Sequence, residues 1–134
     1  MTLSDDLRDT LWTAAEAAAM KAYAPYSDFH VGAAVLTTEG EIISGCNVEN
    51  SSYGLTNCAE RTAVFRAISE GKLSKGISIA AIAVVNRDRQ NCSPCGACRQ
   101  VLAEFGPDAV VMFRHEGNRV ETSITELLPS SFQL

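Results

Sequence analysis

Ile77-Ser78-Ile79-Ala80-Ala81-Ile82-Ala83-Val84-Val85 is the stretch on which the fold turns. It is almost wholly apolar, so it reads as a central strand covered on both faces. Such a strand needs helices above and below it. Upstream, Cys58 to Glu70 carries apolar residues at Ala59, Ala63, Val64, Ala67 and Ile68, with Gly71 placed to end a helix. Gly45 to Asn57 is polar and reads mostly as loop. Val31 to Thr37 reads as a strand, Glu39-Gly40 as a turn, and Glu41 to Ser44 as its return. Leu3, Leu7 and Leu11 recur every four residues ahead of an alanine-rich Ala14 to Ala19, which predicts an amphipathic helix ending before Ala24-Pro25.

Downstream, Ser93-Pro94 reads as an N-cap followed by proline at the first helical position. The helix continues through Ala97, Val101, Leu102 and Phe105, and Gly106-Pro107 stops it. Ala109 to Phe113 is a strand, and Glu116-Gly117-Asn118 turns into a short return at Arg119 to Glu121. The tail, Ile124 to Leu134, holds Leu127-Leu128-Pro129 and Phe132. This order predicts an α/β fold, a mixed sheet sandwiched between helices.

The 134 residues suit one domain, 1–134, and 46% hydrophobic with 20% charged residues is globular composition. Lys and Arg total 11 against 16 Asp and Glu, a net charge of −5. An acidic surface is a poor match for nucleic-acid phosphates. No apolar run reaches the roughly 18 residues of a membrane span. Met1 to Asp6 lacks the basic start and apolar core of a secretory signal, so a cytoplasmic location is expected.

Five cysteines, an odd number, argue against a disulfide framework. In a reducing compartment, clustered thiols more often bind metal or do chemistry. Cys95-Gly96-Ala97-Cys98 stands at a predicted helix start, where residues three apart share a face and the helix dipole favours thiolate. The pattern suits zinc and also suits a redox pair. Cys92 has the same spacing to Cys95 but falls on the incoming loop. Cys58, in Asn57-Cys58-Ala59-Glu60-Arg61, stands at another predicted helix start. Three thiolates would leave zinc a fourth, open position, which is the catalytic arrangement.

Glu60 then has two readings. It closes a capping box with Asn57, or it serves as the proton carrier of a hydrolytic site. Arg61 is either a solvated surface residue or a cation that offsets the roughly −1 formal charge of zinc with three thiolates. His30 and His115 lack metal-like spacing to the cysteines, and Cys46 reads as a small apolar residue.

Taken together, the motifs resemble the zinc-dependent deaminases, which carry a ligand, a Glu two residues on, and Pro-Cys-x-x-Cys downstream. Here these are Cys58-Ala59-Glu60 and Pro94-Cys95-Gly96-Ala97-Cys98. The chain resembles the small homotetrameric cytidine deaminases over nearly its whole length. Further matching motifs are Tyr26-Ser27 and Phe29 before Val31-Gly32-Ala33-Ala34, Gly45 to Gly54, Arg99-Gln100-Val101, and Leu128-Pro129-x-x-Phe132.

The resemblance implies a three-layer α/β/α sandwich with a mixed five-stranded sheet. It implies one zinc per chain on Cys58, Cys95 and Cys98, with Glu60 as catalytic proton shuttle and Arg61 supporting the thiolates. Phe29 would pack on the pyrimidine, and Asn47 and Glu49 would hold the ribose 3′-hydroxyl. Ala59 would join the substrate contacts. Ser51, Tyr53 and Phe132 would complete sites shared between chains of a homotetramer. The implied reaction is hydrolysis of cytidine and deoxycytidine to the uracil nucleosides and ammonia, in pyrimidine salvage.

Overall fold

The structure, a computed structural model, describes residues 2–134. Five strands form one sheet: Val31–Thr37 (β1), Ile42–Cys46 (β2), Ile79–Asn86 (β3), Val110–His115 (β4) and Asn118–Ser123 (β5). Their order is β2-β1-β3-β4-β5, so the apolar stretch lies at the centre. β3 and β4 run parallel, and the other neighbours run antiparallel. A parallel pair needs a crossover, and Gly96–Phe105 (α3) supplies it.

The covered strand meets different partners on its two faces. Ala81, Ala83 and Val85 pack with Leu11, Trp12 and Ala15 of Asp5–Ala19 (α1). Ile82 and Val84 pack with Ala63 and Val64 of Ala59–Ser69 (α2) and with Leu102 of α3. The result is a three-layer α/β/α sandwich. Leu11 has no exposed surface, and its truncation to alanine would cost about 2–5 kcal/mol.

Two glycines set how closely the layers approach. A Cβ on Gly32 would lie 2.0 Å from the Ala15 carbonyl oxygen, so α1 rests directly on the β1 backbone. A Cβ on Gly45 would lie 2.5 Å from the Ala63 amide, which fixes α2 against β2 in the same way.

The helix starts differ from expectation at one place. α3 begins at Gly96 with Cys95 as its N-cap, not at Pro94 with Ser93 as cap. Cys95 is extended at φ −68°, ψ 168°, and the chain before it is non-helical. β5 is longer than its predicted core and runs into Ile124–Leu127 (α4), capped where the Glu126 amide donates to Ser123 Oγ at 3.2 Å. Among the described residues no helix is long and apolar enough to cross a membrane.

Candidate active site

Cys58 and Cys95 occupy the same position on two different helices. Each is the N-cap, extended, and neither side chain caps its helix. Both sulfurs are therefore free to point at a ligand, while the helix dipoles favour their anionic form. Cys98, buried in the first turn of α3, brings the third sulfur. The three sulfurs lie within 4.8 Å of one another, and Cys58 and Cys95 are 3.9 Å apart. Tetrahedral zinc with bonds of about 2.3 Å to sulfur sets neighbouring sulfurs about 3.8 Å apart. The donor set fits zinc and leaves one position for a non-protein ligand. Cys46, Cys92, His30 and His115 are not part of this cluster.

Arg61 is turned toward the cluster. Its Nη2 donates to Cys58 Sγ at 3.2 Å. Hydrogen bonds from Cys98 and from Arg61 outweigh burial and hold the Cys58 thiol down at about 5. Cys98, as the donor to Cys58, is driven the other way. Cys92 is a contrast: burial pushes its thiol up to about 12, as befits an inert apolar side chain.

The capping-box reading of Glu60 does not hold. Cys58, not Asn57, is the N-cap. The Asn57 amide donates to the Val48 carbonyl, and its side chain donates to Thr62 Oγ1 at 3.1 Å. Glu60 is 4% exposed, and burial raises its carboxyl to about 7, within the range of a group that both takes and gives protons near neutrality.

A cavity of about 320 Å³ opens beside the sulfurs. Cys58, Glu60 and Cys95 line it, together with Phe29, Asn47 and Glu49. Ala59 and Tyr53 also line it, whereas Ser51 and Phe132 do not. Ser51, Tyr53 and Phe132 are exposed in the isolated chain. The cavity has the size and the mixture of apolar wall and few polar groups expected of a small-molecule site.

Asn47 and Glu49 are more tightly engaged than sequence reading foresaw. Asn47 Oδ1 accepts the Val31 amide and its Nδ2 donates to the Phe29 carbonyl, each at 2.8 Å. Glu49 Oε1 accepts the amides of Tyr26 and Ser27 at 2.9 and 3.2 Å. The Ser27 hydroxyl donates to Glu49 Oε2. That hydroxyl, with the two amides, holds the Glu49 carboxyl below the usual carboxylate range. Ser27 lines the cavity and was not singled out as a site residue from sequence. Its one sequence signal was its place in the matching motif Tyr26-Ser27.

The chain matches the family described as the cytidine and deoxycytidylate deaminase zinc-binding region over residues 6–114. It is 51% identical over 113 residues to a cytidine deaminase of Halalkalibacterium halodurans, covering 83% of each chain. A cytidine deaminase of Sporosarcina psychrophila is 51% identical over 114 residues, covering 84% of this chain and 81% of that protein. The crystal structure of a cytidine deaminase from Burkholderia pseudomallei superposes with a TM-score of 0.84 at 49% identity, covering 98% of this chain and 100% of that one.

Proposed function

Since the chain belongs to the cytidine and deoxycytidylate deaminase family, we propose that its cavity binds a pyrimidine nucleoside and that Glu60 moves the protons of its deamination. The chain is an enzyme that hydrolyses cytidine to uridine and ammonia with zinc as cofactor, and 2′-deoxycytidine is a second substrate in this reading. The observation that carries the proposal is a buried carboxylate sharing one cavity with the sulfurs of Cys58 and Cys95.

Zinc held by Cys58, Cys95 and Cys98 supplies a Lewis acid that makes water acidic enough to ionise near neutral pH. The rest belongs to the chain's side chains. Glu60 accepts a proton from the attacking water and delivers it to N3 of the base, so that C4 takes the oxygen. It then carries the second water proton to the amino group, which leaves as ammonia as the carbonyl forms. One carboxylate therefore serves twice, and burial suits it to both directions of transfer. Phe29 packs on the pyrimidine, Ala59 contacts the base, and Asn47 and Glu49 receive the ribose 3′-hydroxyl. Arg61 keeps negative charge on the sulfurs from accumulating.

Incubation of the purified protein with cytidine tests this, with ammonia release followed before and after a strong chelator. Release that stops with the chelator and returns with zinc supports the reading. No release from a zinc-loaded protein refutes it.

The proposal extends to assembly. The active form is a homotetramer of chains that each act as one catalytic domain, with Ser51, Tyr53 and Phe132 completing neighbours' sites. Two observations support it: Tyr53 is 60% exposed at the cavity margin, and Phe132 is 71% exposed without a place in its own core. Mixing tests it. A Glu60→Gln chain and a Phe132→Ala chain, each nearly inactive, regain activity as hybrids if sites are shared. Hybrids that regain nothing mean each chain closes its own site. A reducing compartment such as the cytoplasm, and a place in pyrimidine salvage, suit an enzyme whose metal depends on reduced thiols.

A further inference from the structure

Glu49 has more partners than a lone sugar contact requires. Oε1 accepts the Tyr26 and Ser27 amides, and Oε2 accepts the Ser27 hydroxyl. A carboxylate offers about four acceptor positions, so one remains, on Oε2. Glu49 and Ser27 both line the cavity. The direction of that last acceptor depends on the position already taken by the serine hydroxyl. We propose that Ser27 is a positioning residue for sugar recognition: its hydroxyl fixes Oε2 of Glu49 so that the open acceptor faces the 3′-hydroxyl of the nucleoside. This rests on the reading of Glu49 as the sugar contact.

The same oxygen of Ser27 accepts the Phe29 amide at 3.0 Å, so it touches the base wall as well. Phe29 has a second tether, because its carbonyl accepts from Asn47 Nδ2 at 2.8 Å. Loss of the hydroxyl leaves Oε1 of Glu49 on its two amides and frees Oε2, the oxygen with the open acceptor, while Phe29 stays tethered through its carbonyl. The Ser27 hydroxyl is also the largest cause of the lowered Glu49 titration. The hydroxyl thus acts on the sugar and leaves proton transfer at Glu60 untouched.

The test compares Ser27→Ala, Ser27→Thr and Glu49→Gln on cytidine and on 3′-deoxycytidine, which offers nothing to the open acceptor. Ser27→Ala is expected to raise KM for cytidine about tenfold, the worth of one hydrogen bond to a charged group. Its kcat for cytidine and its KM for 3′-deoxycytidine should each change less than about twofold. Ser27→Thr, which keeps the hydroxyl, should restore the difference between the two substrates. Suppose Glu49→Gln harms cytidine more than 3′-deoxycytidine while Ser27→Ala harms both equally. Ser27 then only holds its loop, and the inference fails. If Glu49→Gln harms both equally, the reading of Glu49 fails and takes the inference with it. Should Ser27→Ala not fold, Ser27→Cys, whose thiol is a weak donor, is judged by the same criteria.

Discussion

The first turns of α2 and α3 begin alike and finish differently. Each opens on an extended cysteine N-cap whose sulfur leaves the helix uncapped. In α2 the next residues are Ala59, Glu60 and Arg61, with the alanine and the glutamate buried. In α3 they are Gly96, Ala97 and Cys98; the first two are exposed and only the thiol is buried. The α2 turn therefore puts Cys58, Ala59 and Glu60 on the cavity, whereas the α3 turn puts only Cys95 there. The same backbone device places a sulfur in both cases, and in the proposed mechanism the next three side chains give the α2 turn proton chemistry and the α3 turn coordination alone.

Breaking the α3 side should have the largest effect. Cys95→Ala removes one of three ligands, so zinc should fall below half an ion per chain by metal analysis. Activity should fall by more than about 10³-fold with the loss of water activation. Full zinc with near-native activity would mean that α3 is not the metal-holding turn.

An intermediate effect is expected where the α2 turn supports the metal without touching it. Arg61→Gln removes the guanidinium from Cys58 and should weaken zinc about 10–100-fold in a chelator competition. Turnover at saturating zinc should stay within about tenfold of the native enzyme. An unchanged affinity would return Arg61 to the status of a bystander.

The smallest effects sharpen the contrast between the two first helical positions. Ala59 is fully buried and lines the cavity, so Ala59→Val should cost about 1–3 kcal/mol in denaturant unfolding and raise KM. A Cβ at Gly96 meets nothing within 4 Å, so Gly96→Ala should change stability by no more than about 0.5 kcal/mol. Equal costs at the two positions would contradict the division of the turns.

Much of this was legible in the sequence because periodicity and composition carry it. Ile77 to Val85 announces a doubly covered strand, and the structure adds which helix takes which face: small Ala81 and Ala83 under α1, larger Ile82 and Val84 under α2 and α3. Strand order was not legible, since pairing is a long-range choice that no local pattern encodes. The α3 start was misplaced because Ser93-Pro94 satisfies every local cap rule. The helix begins later, at a cysteine that caps nothing because its sulfur belongs to the cluster. The ambiguity at Glu60 had the same source: Asn57-x-x-Glu60 has capping-box spacing, and only the position of Cys58 at the N-cap shows that Glu60 is turned inward. Ser27 was hidden because one hydroxyl in a turn has no pattern of its own. Its meaning comes from Glu49, more than twenty residues away in the chain.

The central claim is that the α2 turn adds proton transfer to a metal site that both turns build. Glu60→Gln tests it most directly when zinc content and single-turnover deamination of cytidine are measured on the same preparation. The account predicts close to one zinc per chain with deamination slowed by more than about 10³-fold, because both proton transfers lose their carrier. Deamination within tenfold of the native enzyme, with zinc retained, would contradict it.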